Sequence, residues 1–287
     1  MKTIGLTASL LFASFLTMSS CGNGTKQSQA GKASESVQGV KTMTMEDGLQ
    51  VTWIQDNASE RLMPRSLFAA APDSLFESLS LQGGIPSTVS TFLLQSKEGP
   101  ILFDAGLGQA DSRLIAGLAS IGIAPEDVKY IYLTHFHGDH IGGLMKEDTA
   151  VFPRAEIYAS RLEYDAWMAM PDEKKSQVVR TMDAYKDRLH LFGFGDTLPG
   201  GVAAIEAIGH TPGHTVYQAG KLLVVGDLMH GVALQLPHPE FCASYDMEPG
   251  QAVKTRREVL DYARKNALTM AGMHFPAPAF LILEENK

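Results

Sequence analysis

The chain has 287 residues, with 24 Lys and Arg against 32 Asp and Glu, 45% hydrophobic and 20% charged, a globular balance that excludes a disordered tail, a collagen-like fibre and a disulfide scaffold. The net charge of -8 argues against a surface that follows a phosphate backbone, which needs clustered Lys and Arg, so nucleic acid is not expected as a partner. Only Cys21 and Cys242 occur, so any metal must be held by His and carboxylates.

In chain order, residues 1–20 read as a signal peptide: Lys2 is the positive region, 4–16 an apolar run, and 17–20 mostly small and polar. The run is too short to span a bilayer as a mature helix. Met18-Ser19-Ser20-Cys21 resembles a bacterial lipoprotein signal, with Met18 where Leu is usual, which implies cleavage before Cys21 and a lipid upon it. The expected address is the periplasm or outer membrane of a Gram-negative bacterium, touching the membrane only through that anchor. Cleavage removes one basic residue and no acid, leaving 23 against 32, a balance of -9. Residues 21–41 are rich in Gly, Ser, Gln and Lys, which predicts a lipidated N-terminus on a flexible tether.

One folded domain is expected over 42–287. Residues 91–95 and 100–104 are strand-like and separated by Lys97-Glu98-Gly99, a hairpin signal. Leu114, Ile115 and Leu118 have helical spacing within 111–121, and 130–133 reads as a buried strand ending in Thr134. Then come a strand at 156–159, helices at 161–168 and 172–188, strands at 203–208, 215–219 and 222–225, a helix at 251–267 and a strand at 268–273. Hairpins mixed with strand-helix alternation predict α+β layers, with neither repeats nor a second linker.

Directly after the 130–133 strand stands Thr134-His135-Phe136-His137-Gly138-Asp139-His140-Ile141-Gly142-Gly143. Four metal-capable side chains fall within six residues, and the interleaved glycines allow a backbone path tight enough to turn them toward one point. One loop cannot surround two ions, so further ligands are expected where later strands end: the turn His210-Thr211-Pro212-Gly213-His214, then Asp227 after the 222–225 strand, then His274.

In motif, order and spacing, His135-x-His137-x-Asp139-His140 followed by His214, Asp227 and His274 resembles the metallo-β-lactamase superfamily, over about residues 45 to 280. The resemblance implies a four-layer αββα sandwich with a dinuclear site at one edge. It implies His135, His137 and His214 on one ion, Asp139, His140 and His274 on the other, and Asp227 bridging. Redox di-iron members carry Glu where this sequence has His137, so hydrolysis is implied. Two divalent ions are expected, zinc by default, although these donors would also accept Mn, Fe or Co. The tail, with Gly226-Asp227-Leu228-Met229-His230, Gln235, Pro239, Asp246, Thr255-Arg256-Arg257 and Ala271-Gly272-Met273-His274-Phe275-Pro276, is similar to the methyl parathion hydrolase and lactonase-like branch. That branch continues with a Gly-rich turn and a final strand. Here Ala279-Phe280-Leu281 stands instead, which predicts a missing or altered last strand.

The chemistry implied is attack by a metal-bridging hydroxide on an ester, lactone or phosphotriester, a small-molecule substrate. Asp139 is expected to orient the nucleophile or carry its proton. His230 occupies a position that is Tyr in some lactonases of the superfamily, which implies substrate contact. His210 is expected as a turn residue or a support for a ligand, and Asp104 as the partner that fixes a ligand histidine's tautomer. Phe136, Phe194, Trp167 and Phe275 are candidates for an apolar pocket wall, weighed against plain core packing. The alternatives are β-lactam or thioester hydrolysis on the same fold, and a non-catalytic metal-binding lipoprotein, which would lack an open cleft. Oligomeric state has no signal in the sequence.

Overall fold

Apolar side chains alternating between two faces organise the first half of the chain. In the computed structural model, which describes residues 38–59 and 61–284, β1 (Val40–Thr44) pairs antiparallel with β2 (Gln50–Gln55). β3 (Arg61–Met63), α1 (Asp73–Ser78) and β4 (Ile85–Ser87) follow, β3 and β4 forming a small antiparallel pair. β5 (Ser90–Ser96) and β6 (Gly99–Phe103) make the expected antiparallel hairpin. After α2 (Leu114–Ser120), β7 (Tyr130–Tyr132) lies parallel to β6. α3 (Gly138–Ile141) and the minor pair β8 (Met145–Lys146) and β9 (Thr149–Ala150) lead to β10 (Glu156–Ser160), parallel to β7. α4 (Arg161–Met168), α5 (Asp172–Ala184) and the parallel edge strand β11 (Leu189–Phe192) complete a seven-stranded sheet ordered β1-β2-β5-β6-β7-β10-β11.

The second sheet runs in sequence order: β12 (Thr197–Leu198), β13 (Val202–Glu206), β14 (Thr215–Ala219), β15 (Leu222–Gly226), β16 (Thr269–Gly272) and β17 (Phe280–Ile282). Between β15 and β16 the chain forms α6 (Val232–Gln235) and α7 (Pro249–Lys265).

Trp53, Phe92, Phe103 and Tyr132 point from the first sheet into one core shared with Val216, Tyr217, Val224 and Met270 of the second. Their neighbours in sequence, Ile54, Leu93, Leu102 and Ile131, point the other way, onto Leu118 of α2, Trp167 of α4 and Met182 of α5. Because strand side chains alternate with period two, a sheet apolar on both faces must be covered on both. α7 covers the second sheet with Val259, Leu260 and Ala263. The result is the expected αββα sandwich.

Several boundaries shift. The leader, Cys21 and the tether through residue 37 lie outside the described residues, but Val40 and Lys41, expected in the tether, already pair in β1. The 172–188 helix stops at Ala184 and is followed by a 3-10 turn, Lys186–Arg188. α7 begins at Pro249, whose missing N–H costs nothing in a first helical turn. The final strand, expected to be missing or altered, is present: Phe280–Ile282 pairs antiparallel with β16 and packs Phe280 on Phe92, with ring centroids 5.5 Å apart.

Candidate metal centre

β13 and β15 both run antiparallel to β14, and β16 runs parallel to β15, so the C-terminal ends of β13, β15 and β16 share one edge. His210 follows β13, Asp227 follows β15 and His274 follows β16. From the first sheet, the loop after β7 carries His135, and His137 is the extended residue that starts α3, whose first turn holds Asp139 and His140.

These side chains converge. His135 Nε2, His137 Nδ1 and His210 Nε2 lie 2.9, 3.0 and 3.2 Å apart, and Asp227 Oδ2 is 3.3 Å from His210 Nε2. Beside them, Asp227 Oδ1 is 3.1 Å from His140 Nε2, while His274 Nε2 is 3.3 Å from Asp139 Oδ2 and 3.2 Å from Asp227 Oδ2. Among the donor groups they form are two sets, His135-His137-His210-Asp227 and Asp139-His140-His274, with Asp227 beside both, and His230 makes further groups with Asp227 and His274 and with His210 and Asp246.

The far side of each ring decides which nitrogen carries a lone pair. His140 Nδ1 donates to Asp104 Oδ2 at 2.6 Å, and His274 Nδ1 donates to the Thr88 carbonyl at 2.8 Å. His210 Nδ1 faces Asp246 Oδ1 at 3.0 Å. Thr134 Oγ1 gives its proton to Asp104 Oδ2, so towards His135 Nδ1, 3.0 Å away, it accepts. In its neutral form each of these four rings turns a lone pair inward. Asp104 has the tautomer-fixing place expected of it.

With neutral rings such an arrangement is short of protons, and the neighbouring carboxylates raise the His140, His210 and His274 rings against burial. His135 Nε2 and His210 Nε2 are both acceptors, and the single His137 ring can offer a proton to only one of them. His140 Nε2 and Asp227 Oδ1 are buried without any hydrogen-bond partner. A cation satisfies all of them. At the 2.0–2.1 Å of a zinc-imidazole bond, tetrahedral ligand atoms stand roughly 3.3 Å apart, close to the spacings of the first set. Burial, reinforced by His210, holds the His137 ring down to about 3. At Asp227 burial opposes the charge, but His140 and His274 hold its carboxyl well below the usual range. At His274 burial is likewise outweighed, by Asp227 and Asp139, and the ring is raised to about 9. The carboxylates draw positive charge to this point.

His214 is not in either set, a correction to the expected ligand roll. Its Nδ1 donates to the Ala207 carbonyl at 3.0 Å and its Nε2 accepts the Asp227 backbone N–H at 3.0 Å, so no lone pair is left. It supports Asp227 from behind, and His210 takes the place expected for it. Gly226 makes this possible: it has φ +52° and a Cβ there would lie 2.5 Å from His214 Nε2.

A profile described as the metallo-beta-lactamase superfamily matches residues 84–274. The chain belongs to the metallo-β-lactamase superfamily. An N-acyl homoserine lactonase of Bacillus sp is 29% identical over 146 residues, 43% of this chain and 54% of that one. Metallo-beta-lactamase domain-containing protein 1 of Homo sapiens is 28% identical over 195 residues, 67% and 64% of the two chains. The matched part thus spans between about half and two thirds of these relatives. Among solved structures, the hydrolase AbOPH of the beta lactamase superfamily matches with a TM-score of 0.77 and 28% identity over 88% of this chain and 96% of that one. AidC, a dizinc quorum-quenching lactonase, matches in fold with a TM-score of 0.76 at 23% identity, over 87% and 98%. The His and Asp donor sets of this superfamily member could hold divalent metal ions.

Several of these donors line an open cleft of about 340 Å³. His137, Asp139, Asp227, His230 and His274 line it together with Arg61, Leu107 and Tyr245. His230 stacks on His274 with centroids 5.1 Å apart, its Nε2 is 3.1 Å from Asp227 Oδ2, and its buried Nδ1 has no partner. None of the four aromatic candidates lines the cleft, and Phe194 is half-buried elsewhere. Phe136, Trp167 and Phe275 are core residues, and Trp167 meets His137 edge-on from beneath at 5.8 Å. Sequence reasoning passed over Glu163 and gave no role to Asp246 or Arg256. The Asp246 carboxylate that holds His210 is itself held by Arg256 Nη2 at 3.1 Å. No spacing rule reveals such partners, because they join segments as far as 50 residues apart.

Proposed function

We propose that the protein is a metal-dependent hydrolase that holds two divalent ions, zinc by the donor chemistry, and cleaves an ester, lactone or phosphotriester. Bound there, such ions would supply Lewis acidity and lower the pKa of a bound water towards neutrality. His135, His137, His210 and Asp227 would hold one ion, and Asp139, His140, His274 and Asp227 the other. Asp104, Asp246 and the Thr88 carbonyl keep the lone pairs aimed inward. Asp139, 23% exposed and part of the cleft lining, would take up and return a proton. His230, which lines the cleft, would contact the substrate's polar atoms, and Leu107 and Tyr245 would hold its apolar part. The observation that carries this reading is the convergence of imidazole lone pairs on Asp227 beneath an open cleft, which favours turnover over a closed metal-storage site. The relatives named as lactonases put lactones first among the three substrates.

Metal analysis and a hydrolysis screen over lactones, aryl esters, phosphotriesters and β-lactams test it. The parent is expected to bind close to two ions, and Asp227→Ala and His137→Ala to lose activity by orders of magnitude. His230→Phe is expected to lower kcat/KM with metal content unchanged. Undiminished turnover in Asp227→Ala sinks the mechanism.

We propose further that the protein is exported and anchored through a lipid on Cys21, a reading supported by the order of charge, apolar run and small residues before that cysteine.

A further inference from the structure

The two donor sets are assembled differently. In the second, Asp139 and His140 sit on one short helix and lean on Asp104 and on the carbonyl of Thr88 through His274. The first set joins two loops that meet nowhere in sequence, 133–137 and 208–214, and between them lies the buried carboxylate of Glu163, 1% exposed. Glu163 Oε1 accepts the Phe136 N–H at 3.0 Å and the Trp167 indole N–H at 2.6 Å. Its Oε2 accepts the Thr211 hydroxyl at 2.8 Å and the Gly213 N–H at 2.7 Å. Phe136 stands between His135 and His137, and Thr211 directly follows His210. Gly213 lets the second loop sit on the first turn of α4, since a Cβ there would lie 2.2 Å from Glu163 N.

Three N–H groups and one hydroxyl arrive, hydrogen bonds that favour the carboxylate, while burial pushes the acid's pKa up. The local sequence suggests a different use. Ser160-x-x-Glu163 is a capping-box pattern, in which the glutamate would turn back to the start of its own helix. Only half of the box forms: Ser160 Oγ accepts the Glu163 N–H at 3.0 Å, while the carboxylate reaches forward between the loops.

We infer that Glu163 is a positioning residue that sets the metal affinity of the His135-His137-His210 set, and with it the number of ions held, without touching ion or substrate. The inference rests on the two-set reading above. Glu163→Gln keeps shape and volume but turns an NH₂ towards two of the four donors, so one loop loses its tie.

The test separates the sets. In the full chain carrying His274→Ala, zinc binding reports on the first set; carrying His210→Ala, it reports on the second. Chelator competition with zinc is expected to show Glu163→Gln weakening binding roughly 10–100-fold in the first background, as loss of a ligand's supporting partner does, and leaving it unchanged in the second. A purely structural role would move both alike. Equal losses in the two backgrounds, or no loss in either, overturn the inference, whereas a parent that binds fewer than two ions overturns the two-set reading instead. Should Glu163→Gln fail to fold, Thr211→Val, which removes one donor, is expected to give a severalfold loss confined to the first set, and an equal loss in both sets counts against it.

Discussion

Asp227 is the residue on which both donor sets depend. Its two oxygens face opposite rings, Oδ1 towards His140 and Oδ2 towards His210 and His274, and its backbone N–H is tied to His214. The His210 and His214 rings therefore do different work although a Thr-Pro-Gly spacer is all that separates them. His210→Ala deletes a donor and is expected to remove one ion from the purified protein. His214→Ala leaves every donor in place and is expected to retain close to two ions with weaker affinity. Metal analysis after dialysis against a mild chelator distinguishes them, and the opposite ranking would restore His214 as a ligand.

Among the elements, α4 and α7 each carry a charged side chain inward to serve a loop. α7 buries Ala252, Thr255, Arg256, Val259, Leu260 and Ala263 along one stripe, and in that stripe Arg256 is 1% exposed. Its guanidinium donates to the carbonyls of Leu228 and Pro239 and pairs with Asp246. Asp246 holds His210 in turn, so a helix on the outer face of the second sheet reaches the metal centre through one ion pair. Removing one partner of a buried pair leaves a charge without compensation. Arg256→Leu is expected to lower stability by roughly 3–5 kcal/mol, read from urea denaturation of the chelator-treated protein. A loss below about 1 kcal/mol, the level of an exposed pair, would show that Asp246 needs no counter-charge.

At the scale of the whole molecule, the site exists only where two sheets meet. The first sheet supplies His135, His137, Asp139 and His140, and the second supplies His210, Asp227 and His274. They are fastened at the seam itself: Thr215 N–H donates to the Thr134 carbonyl at 2.9 Å, and the Tyr217 hydroxyl donates to the Leu133 carbonyl at 2.7 Å. Tyr217 also packs on Phe103 and Tyr132, with centroids 5.6 and 5.5 Å apart. The anchor proposed at Cys21 belongs to this scale too. Expressed with its leader, the chain is expected in the membrane fraction, and Cys21→Ser in the soluble fraction. A parent chain recovered in the soluble fraction without added lipid mass would remove the anchor.

Much of this was legible in the residues. The alternation at 91–95 and 100–104 and the helical spacing near 114–118 placed elements because local periodicity records which face a core will cover. The crowd of donors at 135–140 announced metal chemistry because few other packings tolerate three imidazoles and a carboxylate in one turn. The strand at Phe280–Ile282 escaped because three residues carry too little periodicity, and its pairing with β16 is a matter of register across the chain. What the tertiary structure alone decided is which of two equivalent histidines keeps a lone pair, and which buried charges hold the rings. Those choices turn on partners brought in from distant segments, the Asp227 N–H for His214 and the Asp246 carboxylate for His210, and a linear order of residues contains no distances.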